Sequence, residues 1–271
     1  MKPVSKTAYY CCGVRMMDAE SMKPLVNDTY AKKLMGEDGL AYWEAFKNQI
    51  NPNASNIARC YIIDSWIKEQ LHTNPDTPVI LIGAGLDSRA FRLPGGHWVE
   101  LDEPGIIEYK NSKLPQSECS NPLQRISIDF ENEKLADKLL PFVTGKPPII
   151  VIEGVLMYLT HEQRQDLFNT LIRLFKKHTL LCDLMSEDFF QRFGKKGIHN
   201  ELKKSGAIFK DLLKDPAQKI IDMGYRQVAM KSNPLTASEF GLLSIPRLIV
   251  KIFMKKKLMG YSSNQFIFNE S

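Results

Sequence analysis

The chain has no uninterrupted apolar run of the roughly 18 residues that a membrane span requires. No charged segment followed by an apolar stretch stands at its start, so neither a transmembrane helix nor a signal peptide is expected. Cysteine is scarce and scattered: Cys11, Cys12, Cys60, Cys119 and Cys182 are odd in number and lack Cys-x-x-Cys spacing. That pattern excludes a zinc ribbon and a disulfide framework, and predicts reduced thiols, a cytoplasmic location and no metal site. Zinc-finger, RRM and KH signatures are missing too, so no nucleic-acid partner is expected. The net charge of +5 comes from dispersed lysines and one Lys255-Lys256-Lys257 run, which reads as solvated helix faces.

What is present is ordinary in bulk. The 271 residues are 44% hydrophobic, enough for one α/β domain covering 1–271, with no linker or internal repeat to divide it. Residues 1–75 read as a helical N-terminal extension. Within it, a helix over 30–46 is broken by Gly36 to Gly39, and Asn51 to Ser55 reads as a turn. Asn53 or Ser55 then caps a helix over 57–71 whose apolar face holds Ile62, Ile63, Trp66 and Ile67. Arg59 on that helix is either a surface charge or a clamp for a carboxylate.

The stretch 78–104, PVILIGAGLDSRAFRLPGGHWVELDEP, organises the rest. Val79 to Ile82 is a buried parallel strand running into Gly83-Ala84-Gly85. LDSRAFRL has helical spacing, and His97 to Leu101 is a second strand finishing at Asp102. Glycines admit a ligand close to the backbone, and an acid about 20 residues on can accept from both ribose hydroxyls. The third glycine that would seat a pyrophosphate is missing; Leu86-Asp87-Ser88 stands there instead. Asp87 would repel a diphosphate, which disfavours a nicotinamide dehydrogenase and favours an adenosine ligand such as S-adenosylmethionine (SAM). Local pairing of Asp87 with Arg89 is expected to orient the turn.

Further strands follow at 124–128 and 149–152, ending at Asp129 and Glu153, and at 179–182, closed by Asp183. Between them, a helix follows Pro104, a short one spans 133–140, and Thr160 to Gln163 is a capping box opening a helix through Phe175. Ligands of open α/β sheets bind beyond the carboxyl ends of the strands. Asp102, Asp129 and Glu153, three acids at that edge beside the glycine turn, repel one another unless something cationic or donating lies between them. A sulfonium, ribose hydroxyls and an adenine amino group are such partners. Residues 184–214 are irregular, aromatic and glycine-punctuated, and read as a cap over the mouth of the sheet or as a plain surface excursion. Asp215-Pro216 opens another helix, 224–228 is a sixth strand, Thr236 to Glu239 is a second capping box, and 264–268 is a final strand.

VILIGAGLDSRAFRL, WVELDEPGIIEYKNSKL and IEGVLMYLTHEQRQDLF together resemble the leucine carboxyl methyltransferase family of SAM-dependent O-methyltransferases, including its bacterial polyketide-type branch. The resemblance implies a Rossmann-like class I methyltransferase fold, with a seven-stranded sheet and a terminal antiparallel hairpin. It implies that Arg59 grips the SAM carboxylate, that Gly83 and Gly85 lie under the cofactor, and that Asp102 holds the ribose. Asp129 and Phe130 then flank adenine, Glu153 lies near the methionine portion, and Arg15 approaches cofactor or substrate. Tyr158 either bonds the acceptor or packs. The implied reaction is in-line methyl transfer to a carboxylate, phenol or hydroxyl of a small molecule; a carboxylate needs no general base, whereas a phenol or alcohol needs one such as His161 or His199. His161, in a helix's first turn, reads as structural. A protein C-terminal carboxylate as acceptor, or a SAM-binding relative without activity, stand as alternatives.

Overall fold

A computed structural model describes residues 6–195 and 197–270. Seven strands form one sheet: β1 (Pro78–Ile82), β2 (His97–Asp102), β3 (Leu123–Ser127), β4 (Ile149–Ile152), β5 (Lys177–Met185), β6 (Arg226–Ser232) and β7 (Tyr261–Asn269). Their order is β3-β2-β1-β4-β5-β7-β6. The first five run parallel, and β7 is antiparallel to both β5 and β6, which is the expected terminal hairpin.

The period-2 alternation of the central strands sorts their side chains onto two faces. Ile80, Ile82, Ile150 and Ile152 pack with Leu167, Phe168 and Leu171 of the helix His161–Leu174. Val79, Leu81, Ile149 and Val151 pack with Ile62, Ile63, Trp66 and Ile67 of the helix Ile50–Thr73. Being covered on both sides, β1 and β4 are apolar without interruption.

Helices α1 (Thr7–Ala19), α2 (Ala31–Trp43) and α3 (Ile50–Thr73) precede the sheet. Gly36 breaks α2 with φ 58°, as its sequence suggests. Residues 51–55 are not a turn: α3 begins at Ile50, with Pro52 in its first turn, where proline's missing N–H costs nothing. Asn53 and Ser55 therefore do not cap. The Asn53 amide donates to Phe46 O (2.9 Å) and the Ser55 hydroxyl to Asn51 O (2.9 Å).

The remaining helices are α4 (Arg89–Arg92), α5 (Pro104–Lys113), α6 (Leu135–Leu139), α7 (His161–Leu174), α8 (Glu187–Phe189), α9 (Ile198–Lys204), α10 (Pro216–Ile221) and α11 (Asn233–Glu239). Last come α12 (Arg247–Ile249), a wider turn over Val250–Met254, and α13 (Lys255–Leu258). The capping box of α7 is present in both halves, Gln163 N donating to Thr160 Oγ1 (3.2 Å) and Thr160 N to Gln163 Oε1 (2.9 Å). Thr236, by contrast, lies inside α11; Ser232 caps that helix by accepting from Leu235 N (3.3 Å). LDSRAFRL is helical only over Arg89–Arg92, because Leu86 to Ser88 are held in the glycine turn. β5 runs through Asp183 to Met185, so that acid lies within a strand and not at its tip.

Candidate functional site

At the carboxyl edge of β1 the chain turns through Gly83 (φ 72°) and Gly85 (φ 48°). A Cβ at Gly83 would sit 2.5 Å from Val155 Cγ2, so both conformation and space demand glycine there. Gly85 N donates to Asp102 Oδ2 (2.6 Å), and Glu103 N donates to Asp102 Oδ1 (2.7 Å). The tip of β2 is thereby tied to the glycine turn. Burial pushes the Asp102 carboxyl up to about 6, against the lowering effect of those two backbone donors. No salt bridge to a cation holds it among the described residues.

A cavity of about 1160 Å³ opens beyond this turn. Gly83, Gly85, Asp102 and Phe130 line one part of it; Arg15, Arg59, Glu153 and Tyr158 line another. Asp129 does not. Its carboxylate accepts from Glu131 N (3.1 Å) and Asn132 Nδ2 (2.7 Å), and so holds the turn that carries the half-exposed Phe130.

Arg59 is no surface charge: it is 4% exposed, and its guanidinium spans Glu153 Oε1 (2.8 Å) and Asp183 Oδ2 (3.1 Å). It also donates to Tyr261 OH (2.9 Å), while Nη2 donates to Cys11 Sγ (3.4 Å). Glu153 Oε2 lies 2.6 Å from Arg89 Nη2, and Arg89 Nε donates to Asp64 Oδ1 (2.5 Å). Asp64 Oδ2 accepts from Arg92 Nη1 (2.8 Å), and Arg92 Nε lies 3.7 Å from Asp28 Oδ1. Asp28 closes the series by accepting from Arg15 Nε (2.8 Å). Asp183, Arg59, Glu153, Arg89, Asp64, Arg92, Asp28 and Arg15 thus form one buried chain of alternating sign. Asp87 joins it through Arg89, the expected local pair. Burial pushes Asp87 up, but Arg89 and then Arg15 outweigh it and hold the carboxyl at about 2. Glu153 is likewise opposed by burial and held low by Arg89 and Arg59.

This corrects one expectation. The acids at the sheet edge are not an open anionic row awaiting a cation, because the protein's own arginines already neutralise Glu153 and Asp183. Among the described carboxyl groups lining the cavity, Asp102 is the one with a raised pKa. On the cationic side, Arg15 Nη2 donates to Leu86 O (2.6 Å), and neither its Nη1 nor a second bond from Arg59 Nη2 is engaged among the described residues. Those two groups are what the network offers to an incoming carboxylate.

The sequence pointed to two histidines as bases, and neither lines this cavity. His161 borders a separate cavity of about 260 Å³ beside α10. His199 packs between Phe190 (4.8 Å between ring centroids) and Phe209 (4.9 Å), and burial then Lys203 depress its pKa. Burial raises the Tyr158 hydroxyl's pKa, so at neutral pH it is protonated and a donor. Its ring meets Phe209 edge-on at 5.3 Å. Phe209 sits on the segment 207–213, which is fastened over Tyr158 by Lys210 N donating to Met157 O (2.8 Å) and by Arg164 Nη2 donating to Asp211 O (2.5 Å).

Comparison with known proteins fits this geometry. The leucine carboxyl methyltransferase family description matches residues 8–172, more than half of the chain. The chain belongs to that family. A provisionally assigned SAM-dependent methyltransferase of Mycobacteroides abscessus is 27% identical over 192 residues, covering 62% of this chain and 60% of that protein. One from Mycobacterium bovis is 28% identical over 212 residues, covering 68% and 61%. The chain thus spans about three fifths of the length of these curated relatives. Among solved structures, a DUF574-family protein from Streptomyces avermitilis matches with TM-score 0.56 at 9% identity, covering 95% of this chain and 96% of that one. Magnesium protoporphyrin IX methyltransferase from Synechocystis, crystallised with S-adenosylhomocysteine, matches with TM-score 0.51 at 12% identity, covering 89% and 99%. This member of the family therefore has the class I methyltransferase fold.

Several residues of the network carry no signal in the sequence. Asp28, Asp64 and Tyr261 come from three remote segments and meet only through the fold. Asp183 was visible as an acid at the close of a predicted strand, but its bond to Gly154 N (2.7 Å) and its pairing with Arg59 were not.

Proposed function

We propose that this protein is a SAM-dependent O-methyltransferase acting on the carboxylate of a small acid. The observation that carries the reading is Asp102: an acid beside a two-glycine turn, inside a large cavity, with a raised pKa and no salt-bridged cation among the described residues. A ribose diol would give this carboxylate donors beyond its two backbone N–H groups. Ligand pockets run to roughly 300–1,000 Å³, so a cavity of about 1160 Å³ has room for a cofactor and an acceptor together.

The residues present fit the cofactor. Asp102 would accept from the ribose hydroxyls, and Phe130, on the turn that Asp129 braces, would lie against adenine. Gly83 and Gly85 would let the ligand approach the backbone, and Glu153 would stand near the methionine portion. Arg59 and Arg15 would take its carboxylate through Nη2 and Nη1. When bound, SAM supplies an electrophilic methyl group on a sulfonium.

The chain's own work is then to align and to exclude water. A carboxylate acceptor is ionised at neutral pH because its free pKa is near 4, so no base is required. The lack of a histidine among the described residues lining the cavity supports this acceptor over a phenol or alcohol. Tyr158, as a protonated donor, orients the acceptor oxygen, and the 207–213 segment that packs on Tyr158 serves as a cap. Alignment of this kind supplies much of the rate of a bimolecular transfer.

Incubation with methyl-labelled SAM and a panel of carboxylic acids, phenols and carboxyl-terminal peptides tests the reading. Label in small-acid esters is expected; label confined to phenols or to peptides contradicts it. The rate should stay flat above about pH 6, since the acceptor is already ionised.

A further inference from the structure

We propose that residues 247–258 form an interfacial docking element that seats the protein on an anionic lipid bilayer. The segment α12 to α13 is helical throughout, about 12 residues or roughly 18 Å long at helical rise. Val250 and Leu258 are its inward anchors, 2% and 5% exposed. Leu248, Ile249, Ile252 and Phe253 instead face solvent, at 68%, 45%, 61% and 70% exposure. Spaced i, i+1, i+4 and i+5, they make one apolar stripe. Arg247, Lys251 and Lys255 make a parallel basic stripe at the adjoining i, i+4, i+8 positions, and Lys256 and Lys257 stand one turn beyond Ile252 and Phe253, closing the apolar stripe with charge, all exposed.

Charge decides the occupant. Between Glu239 and Glu270 the sequence contains no acidic residue, so nothing on this segment offsets its five cations. A second copy would set the same five cations against each other, and an uncharged groove would leave them unpaired. An apolar stripe beside a basic one suits the boundary between acyl chains and anionic headgroups. Four exposed large apolar side chains in one helical turn and a half are an unusual cost on a water-facing surface.

Placement adds to this. β7 starts three residues after α13, and its first residue, Tyr261, pairs with Met185 at the carboxyl end of β5. The docking element therefore hangs from the same edge of the sheet as the ligand cavity. On the reading of the site proposed above, seating it on a bilayer brings the cavity edge towards lipid-like acids dissolved in the membrane.

Co-sedimentation of the full chain with vesicles tests the proposal, using phosphatidylcholine alone and phosphatidylcholine with phosphatidylserine. Binding to the anionic vesicles only, weakened by salt, is expected. Replacing both Ile252 and Phe253 by Ser, or Lys255, Lys256 and Lys257 all by Gln, should reduce partitioning at least tenfold. Thermal melting should be unchanged in both variants, as all five side chains are solvent-facing. Equal partitioning of wild type and variants, binding to neither vesicle, or patch variants that change only the oligomeric state in gel filtration would each overturn it. SAM titration of the same variants is expected to be unchanged, which keeps this test separate from the assignment of the cavity.

Discussion

Asp102 and Arg59 both face the cavity, but they sit in opposite electrostatic surroundings. Asp102 has two backbone donors and a carboxyl raised to about 6 by burial. Its folded pKa lies above the unfolded value, so the native state holds the extra proton between about pH 4 and about pH 6. In the free protein its contribution to stability therefore falls as pH rises through that window. Asp102→Asn removes this uncompensated charge but also loses an acceptor for one of the two N–H groups. Those effects oppose each other at about 1–3 kcal/mol each, so Tm at neutral pH should move by only a few degrees. Arg59 behaves differently. Arg59→Ala leaves Glu153 and Asp183 buried without their shared cation, which costs about 3–5 kcal/mol, or roughly 10 °C for a chain of this size. Thermal melting distinguishes the two. Arg59→Lys retains the charge but not the fork, and is expected to keep the fold while weakening SAM binding at least tenfold in calorimetry.

At the scale of elements, the glycine turn, β1, β2 and α7 were readable because each is specified locally: an apolar run, two glycines, an acid, a capping box. Gly83→Ala should be poorly tolerated, since it puts a Cβ at positive φ against Val155 Cγ2. A loss of at least tenfold in SAM affinity is expected in calorimetry. Adding Val155→Ala restores affinity if crowding causes the loss, and leaves it unchanged if the positive φ does. The start of α3 and the cap of α11 were misread because Asn, Ser and Thr serve helix interiors as readily as caps once their side chains bond a preceding carbonyl or pack inward. Ser55 does so through Asn51 O, and Thr236 is buried within α11. Tyr158 and Phe209 show the same limit. Their edge-on contact joins β4's loop to a segment some fifty residues later, and no local pattern encodes it. Tyr158→Phe should raise KM for the acceptor, with kcat/KM falling about tenfold and SAM affinity unmoved.

Across the whole molecule, the strands were legible as short apolar runs between turn residues, whereas the seven-stranded sheet and its terminal hairpin were implied by the family resemblance, and the strand order came only from the fold. The ion-pair chain was not, since opposite charges choose partners by distance in space. Its energetic consequence is acid sensitivity. Asp87 and Glu153 have folded pKa values below their ordinary ones, Asp87 at about 2. The stability they contribute is present above their unfolded pKa values near 4 and is lost as pH falls through their folded values. Melting temperature should drop steeply below about pH 4, and a flat profile there would contradict the network. The same chain links α1 and the residue 28 loop to α3, the glycine turn, β4 and β5, so it fixes the N-terminal helices against the cavity they help to line.

The central claim is that Asp102, in its ionised form, is the group that receives a SAM ribose. Isothermal titration of SAM into wild type and Asp102→Asn, repeated from about pH 5 to about pH 8, tests it most directly. The account predicts wild-type affinity that rises with pH and levels off above about 6, and a variant that binds at least tenfold more weakly, by about 1.4 kcal/mol, with the slope gone. Equal affinities and equal pH profiles for the two proteins, or no binding of SAM by wild type, would contradict it.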